Sequence, residues 1–126
     1  MFQKIFIMGN LGKDPVSRML DSGTQMTTFS VAAKSGYGDY EETNWFNVTA
    51  FGKKAEIINN HFNKGKPIFI EGELKGEGGN PRTYEAGDGT VRASFDVKLL
   101  DFKFMPGGGG QDLYAEENGD SAADSF

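Results

Sequence analysis

The chain contains no cysteine and a single histidine, His61. Disulfide staples, a thiol nucleophile, a Cys/His zinc site and a Ser-His-Asp relay are therefore excluded. His61 itself falls at helical spacing and reads as a solvated helix residue. No apolar run approaches the roughly 18–20 residues that span a bilayer as a helix. Met1–Asn10 alternates apolar and polar residues instead of carrying a secretory pattern. The expected setting is the cytoplasm, without staples or membrane anchor. Neither Gly-x4-Gly-Lys-[Ser/Thr] nor Gly-x-Gly-x-x-Gly occurs, which removes the common phosphate-cradling loops. The carboxylates are scattered and no pair stands out as an acid/base couple. An enzyme is not expected, and nothing calls for a cofactor or a metal.

Basic residues are outnumbered, 13 against 18 acidic ones, for a formal charge of −5 over 126 residues. Such a sum argues against a nucleic-acid partner until the charges are located. All 13 Lys and Arg and 13 of the 18 Asp and Glu lie in residues 1–105, which are therefore neutral. The whole excess sits in Asp112, Glu116, Glu117, Asp120 and Asp124. A neutral body of one-domain size is followed by an acidic segment.

Within the body, apolar residues recur at period two, the spacing of half-buried strands. Five strands are predicted, at Phe2–Met8, Gln25–Ala33, Asn44–Phe51, Pro67–Leu74 and Thr90–Phe104. Gly36-Tyr37-Gly38-Asp39 breaks the pattern as a turn. Between the third and fourth strands, 53–64 reads at helical spacing, with Ala55, Ile58 and Phe62 on one face and Gly65 placed as the residue that ends the helix. Gly76–Pro81 and Gly87-Asp88-Gly89 mark a glycine-rich excursion, expected to be a flexible hairpin arm. Pro106 and four glycines open residues 106–126, a segment with little to bury and expected to be disordered. Three strands, a short helix and two strands without βαβ alternation predict an all-β protein: a five-stranded Greek-key barrel of the OB type with an acidic tail. An SH3-like barrel would leave the interposed helix unexplained.

The third predicted strand is the most informative. Phe46, Val48 and Ala50 form a core face. The opposite parity holds Trp45, Asn47, Thr49 and Phe51, so the only Trp of the chain stands on the polar side. Two readings fit: packing against a helix, a loop or a second subunit, or stacking of nucleic-acid bases, for which exposed flat rings are suited. Tyr37 and Tyr40 in one glycine-broken loop and Tyr84 in the arm add further rings. Lys34, Lys53, Lys54, Lys75, Arg82 and Arg92 are the candidate cations for phosphate contact, against the alternative of solubilising surface charge.

Gly9-Asn10-Leu11-Gly12-Lys13-Asp14-Pro15, then Trp45, Phe51-Gly52-Lys53-Lys54-Ala55-Glu56, Lys64-Gly65 and Ile70-Glu71-Gly72-Glu73-Leu74 follow one another in the order and near-spacing of the bacterial-type single-stranded DNA-binding proteins. The resemblance covers about residues 1–104, and the Gly-rich acidic end resembles that family's as well. It implies an OB-fold that coats single-stranded DNA without sequence preference in replication, recombination and repair, usually as a homotetramer, in the nucleoid. By position, Trp45 and Phe51 match base-stacking aromatics, Tyr84 falls where the arm usually carries Trp, and Tyr37 lies near another such position. The tail implies docking of replication and repair proteins through Asp120, Asp124, Ser125 and Phe126, with thinner acidity than the family commonly has. A protein-interaction OB module of the primosome type and an RNA-binding OB domain are the alternatives.

Overall fold

The computed structural model describes residues 1–106. Its elements are β1 (Ile5–Leu11), β2 (Val16–Met19), β3 (Gln25–Ser35), a 3-10 turn (Gly38–Tyr40), β4 (Glu42–Phe51), α1 (Lys53–His61), β5 (Pro67–Lys75), β6 (Arg82–Glu85) and β7 (Val91–Phe104). Five strands close into a ring. β1 pairs with β5, β5 with β7, and β4 with β3, all antiparallel. β4 and β7 pair in parallel, and β3 returns to β1 at Asn10↔Ala32 and Leu11↔Val31. This is the expected five-stranded OB barrel with one short helix.

Period-two alternation puts one face of every barrel strand inside. Ile7, Leu11, Phe29, Val31, Val48, Ala50, Ile68, Ile70, Val97 and Leu99 form one buried cluster with Ala55 and Ile58 of α1 and with Phe62. Burying side chains of the size of Ile58, Ile68 and Ile70 completely stabilises by about 1.5–3 kcal/mol each. The buried Thr27 hydroxyl donates to the Ala55 carbonyl at 2.8 Å, so the helix is pinned to β3 by a satisfied polar contact as well as by packing.

Several boundaries differ from the sequence reading. α1 stops at His61, and Phe62 leaves it in an extended conformation (φ −117°, ψ 149°). Its ring is drawn into an aromatic group, stacked on Phe104 at 5.0 Å between centroids and edge-on to Phe102 at 5.7 Å. Gly65 therefore does not end the helix. It has φ +89° in the turn after it, where its N–H donates to the Leu11 carbonyl at 2.8 Å. His61 is exposed, as expected. Two short strands were not predicted. β2 carries little apolar alternation because Val16, Arg18 and Met19 all remain exposed. β6 forms the arm: it pairs with the start of β7 from Arg82↔Ser94 to Glu85↔Val91. The arm is thus a hairpin, and it carries regular ladder pairing.

β1 also runs farther than its sequence pattern, through Gly9-Asn10-Leu11. Gly9 permits this. A Cβ there would meet the Ala32 carbonyl oxygen and lie 2.9 Å from Val31 Cγ1, so any side chain would push β1 off β3 where the barrel closes. Gly87, in the β6–β7 turn, has nothing within 4 Å of the same position. Gly9→Ala is expected to destabilise the barrel by about 2 kcal/mol through overpacking, a fall of roughly 8–16 °C in Tm. Gly87→Ala should leave Tm unchanged or raise it slightly. Equal melting of both variants in a thermal denaturation series would refute this account of the closure.

Candidate functional site

β4 divides its residues as its alternation requires. Val48 and Ala50 are fully buried, while Trp45 and Phe51 on the opposite parity remain 53% and 42% exposed. The chain crosses beside Trp45 at Gly12, whose N–H donates to the Ser30 carbonyl at 2.9 Å. A Cβ on Gly12 would collide with the indole at Cζ3 and approach Ser30 Oγ to 2.9 Å. Only glycine lets the backbone flank the ring this closely. The indole is therefore held in place along one side and remains half open to solvent.

A groove of about 720 Å³ runs across the same face. Its floor follows the strand register: Ser30, Asn47 and Asp96 stand side by side across β3, β4 and β7, and Thr28, Thr49 and Lys98 form the next row. Lys13 and Asp14 approach from the segment between β1 and β2, Val16 from the start of β2, Lys75 from the end of β5 and Arg82 from β6, and Phe51 also lines the groove. The lining charges are four cations, Lys13, Lys75, Arg82 and Lys98, against two carboxylates, Asp14 and Asp96. Asp14 is engaged by the backbone: its Oδ1 accepts the Lys64 N–H at 2.8 Å.

Asp96 and Arg82 form the most constrained polar group of the groove. Arg82 Nε donates to Asp96 Oδ2 at 2.7 Å, and its Nη2 reaches Ser94 Oγ at 3.0 Å and Asp96 Oδ1 at 3.3 Å. The Ser94 hydroxyl donates to Asp96 Oδ1 at 2.6 Å. Asn47 Nδ2 donates to Ser94 Oγ at 2.8 Å and to Asp96 Oδ1 at 3.3 Å. The Arg82 hydrogen bond, with those from Ser94 and Asn47, holds the Asp96 carboxyl below the ordinary aspartate range despite its partial burial. The same pairing raises the Arg82 guanidinium above its usual value.

Of the residues singled out in the sequence, Phe51, Lys75 and Arg82 line the groove. Trp45 shares the outer face of β4 with Phe51, one strand-parity step from the groove residue Asn47. Tyr84, on β6 and 45% exposed, has the Arg82 guanidinium 6.0 Å from its ring centroid. Tyr37 and Tyr40 bracket the 3-10 turn and are almost fully exposed. Lys34 stands exposed opposite Thr43 near the ends of β3 and β4. Lys53 pairs with Glu56 at 3.5 Å on the first turn of α1, beside the exposed Lys54. Arg92 pairs with Asp88 at 3.2 Å in the arm. None of Trp45, Tyr84, Tyr37, Lys34, Lys53, Lys54 and Arg92 lines the groove itself. Asp120, Asp124, Ser125 and Phe126 lie outside the described residues.

Sequence reasoning missed Lys13, Lys98, Asn47 and Asp96. Lys98 was accessible to it, because Ser94, Asp96 and Lys98 share the parity opposite to the core residues Val97 and Leu99. The Asn47–Ser94–Asp96–Arg82 group was not, because it depends on the parallel β4–β7 register. Among the described residues no group of three or more His, Cys, Asp and Glu could hold a metal, and no helix is long and apolar enough to cross a membrane. The arrangement offers exposed flat rings on a strand face, a polar floor carrying paired and unpaired charges, and cations on both sides. It is suited to holding an extended, anionic chain that carries planar groups.

Comparison with known proteins gives the same direction. The model of the single-strand binding protein family matches residues 2–105. The single-stranded DNA-binding protein of Neisseria meningitidis serogroup A is 31% identical over 109 residues, covering 82% of this chain and 60% of that protein. That of Thermotoga maritima is 33% identical over 109 residues, 82% of this chain and 74% of its own length. Single-stranded DNA-binding protein 1 of Chlorobaculum tepidum is 29% identical over 119 residues, 90% of this chain and 74% of its own length. The chain therefore spans about 60% of the length of the neisserial relative it matches. With the family model covering the whole barrel, from the first residues of β1 to the end of β7, the chain belongs to the single-strand binding protein family.

Proposed function

We propose that the protein binds single-stranded DNA without sequence preference and protects it during replication, recombination and repair, acting in the cytoplasm at the nucleoid as a binding protein and not as an enzyme. The observation that carries this reading is the outer face of β4, where Trp45 and Phe51 are 53% and 42% exposed beside a groove lined by Lys13, Lys75 and Lys98. Stacking on such rings contributes about 1–3 kcal/mol per base whatever the base. Tyr84 and Tyr37 extend the path beyond the groove, and Lys34, Lys53, Lys54 and Arg92 complete the phosphate contacts, while Arg82 at the groove is held on Asp96.

Homotetramer assembly is supported by a second surface. Phe6 and Met8 on the outside of β1 are 60% and 58% exposed, and Phe6 stacks on Phe69 of β5 at 5.9 Å with an interplanar angle of 18°. From Ile5 to Gly9, β1 is paired with β5 alone, so its other edge is open among the described residues. The acidic segment is proposed to recruit replication and repair proteins through Asp120, Asp124, Ser125 and Phe126, and to compete with DNA for the groove cations.

Trp45 is the only Trp, so its fluorescence should be quenched by oligo-dT, and Trp45→Ala should weaken binding by about 1–3 kcal/mol, roughly 5–150-fold. Unchanged emission at saturating oligomer, or preference for RNA of equal length, would defeat the reading. Phe6→Asp should lower the mass found by light scattering from tetramer to smaller species with an unchanged circular dichroism spectrum; an unchanged mass would count against that interface. Deleting residues 113–126 should tighten DNA binding at low salt and abolish capture of replication and repair enzymes. If neither changes, the segment serves only solubility.

A further inference from the structure

We propose that Asp96 is a positioning residue that withholds Arg82 from the phosphates of a bound single strand, and so lowers the affinity and the salt dependence of the groove. This rests on the strand-binding reading above. Three observations carry it. First, Asp96 occupies the groove floor, opposite Asn47 on one side and Lys75 on the other in strand register. A carboxylate at that point repels a polyanion unless it is neutralised. Second, Arg82 Nε and Nη2 meet both Asp96 oxygens, at 2.7 and 3.3 Å. The planar fork that a guanidinium offers a phosphate is the same one it offers a carboxylate, so the Nε/Nη2 edge of Arg82 is already taken by Asp96 and Ser94.

Third, the carboxylate is fixed from other sides. Ser94 Oγ donates to it at 2.6 Å, Asn47 Nδ2 lies 3.3 Å from it, and Arg82 Nη2 is also held by Ser94 Oγ at 3.0 Å. Releasing Arg82 to a phosphate would break this set and leave Asp96 unpaired in the path of the strand. Lys13, Lys75 and Lys98, in contrast, have no acidic partner among the described residues. The groove therefore offers three available cations and one internally neutralised pair. Asp96 tunes the site through Arg82 and need not touch DNA itself.

The test is a salt titration of oligo-dT binding by the full chain, between about 50 mM and about 1 M salt, for the wild type, Asp96→Asn and the double variant Arg82→Gln/Asp96→Asn. Asparagine keeps the shape of the carboxylate and removes its charge, so Arg82 becomes available. One further neutralised phosphate steepens the salt slope by about 0.7, so the advantage of Asp96→Asn over the wild type should grow about eightfold from the high to the low salt limit. The double variant should return to the wild-type slope. Parallel lines for Asp96→Asn and the wild type would overturn the proposal, because a merely structural role changes melting temperature without changing the slope. A steeper slope kept in the double variant would also overturn it, since the gain would not come from Arg82. If Asp96→Asn does not fold, Asp96→Ser carries the same expectation. A wild-type chain that fails to bind oligo-dT would overturn the strand-binding reading and this proposal together, whereas binding with parallel lines overturns only the role of Asp96.

Discussion

The barrel depends on one short junction. β1 must leave β5 and meet β3, and it does so over only two residue pairs, Asn10↔Ala32 and Leu11↔Val31. So brief a pairing is held by contacts on several sides. Leu11 donates to the Lys66 carbonyl at 3.0 Å and accepts from Gly65 N–H at 2.8 Å, and Gly12 N–H donates to Ser30. Asn10 Nδ2 donates to the Gly65 carbonyl at 2.9 Å, and Asp14 takes the Lys64 N–H. Glycine at 9 and 12 is what allows the chain to lie this close to β3 and to the indole of Trp45. The segment that closes the core therefore also flanks Trp45 and brings Lys13 to the groove, so fold closure and site geometry are set by the same residues.

Electrostatics divides the surface on a finer scale than the net charge. The body is neutral over residues 1–105, yet the groove has twice as many cations as carboxylates along its lining. Neutrality is local as well as global, because Arg82–Asp96, Arg92–Asp88, Lys53–Glu56 and Lys4–Glu71 each cancel a charge in place. Exposed pairs such as Arg92–Asp88 contribute little to stability, whereas the half-buried Asp96 has four hydrogen-bond donors around it. Since the folded Asp96 carboxyl titrates below the unfolded one, its pairing stabilises the fold at neutral pH. That contribution is lost as pH falls from the ordinary aspartate range near ~3.9 through the lowered folded value.

The elements that alternate cleanly were legible in the sequence. The two faces of β4, with Val48 and Ala50 inside and Trp45 and Phe51 outside, follow from period two alone, and so does the position of Ala55 and Ile58 on α1. What could not be read depended on contacts distant in sequence. Helical spacing continues past His61, and the helix stops there because the Phe62 ring is engaged by Phe102 and Phe104 some 40 residues later. Gly9 resembles a turn residue until β3 is placed against it. Arg82 reads as an available cation until the β6–β7 pairing sets it over Asp96, and Asn47 reads as filler between two aromatics until the parallel β4–β7 register makes it a donor to the same carboxylate.

Those two corrections bear on how the proposed binding would divide between charge and stacking. If Arg82 is neutralised in place, Lys13, Lys75 and Lys98 are the groove cations left for phosphates, and three neutralised phosphates correspond to a salt slope of only about −2. Such a slope is shallow for the proposed hold on a flexible polyanion. Each stacked ring, in contrast, contributes about 1–3 kcal/mol with little dependence on counterions. Four such exposed rings, Trp45, Phe51, Tyr84 and Tyr37, are available, Phe51 in the groove and the others beside or beyond it. In the proposed binding, aromatic area is then the salt-resistant part of the affinity, which is how a body with no net positive charge could serve a nucleic-acid partner.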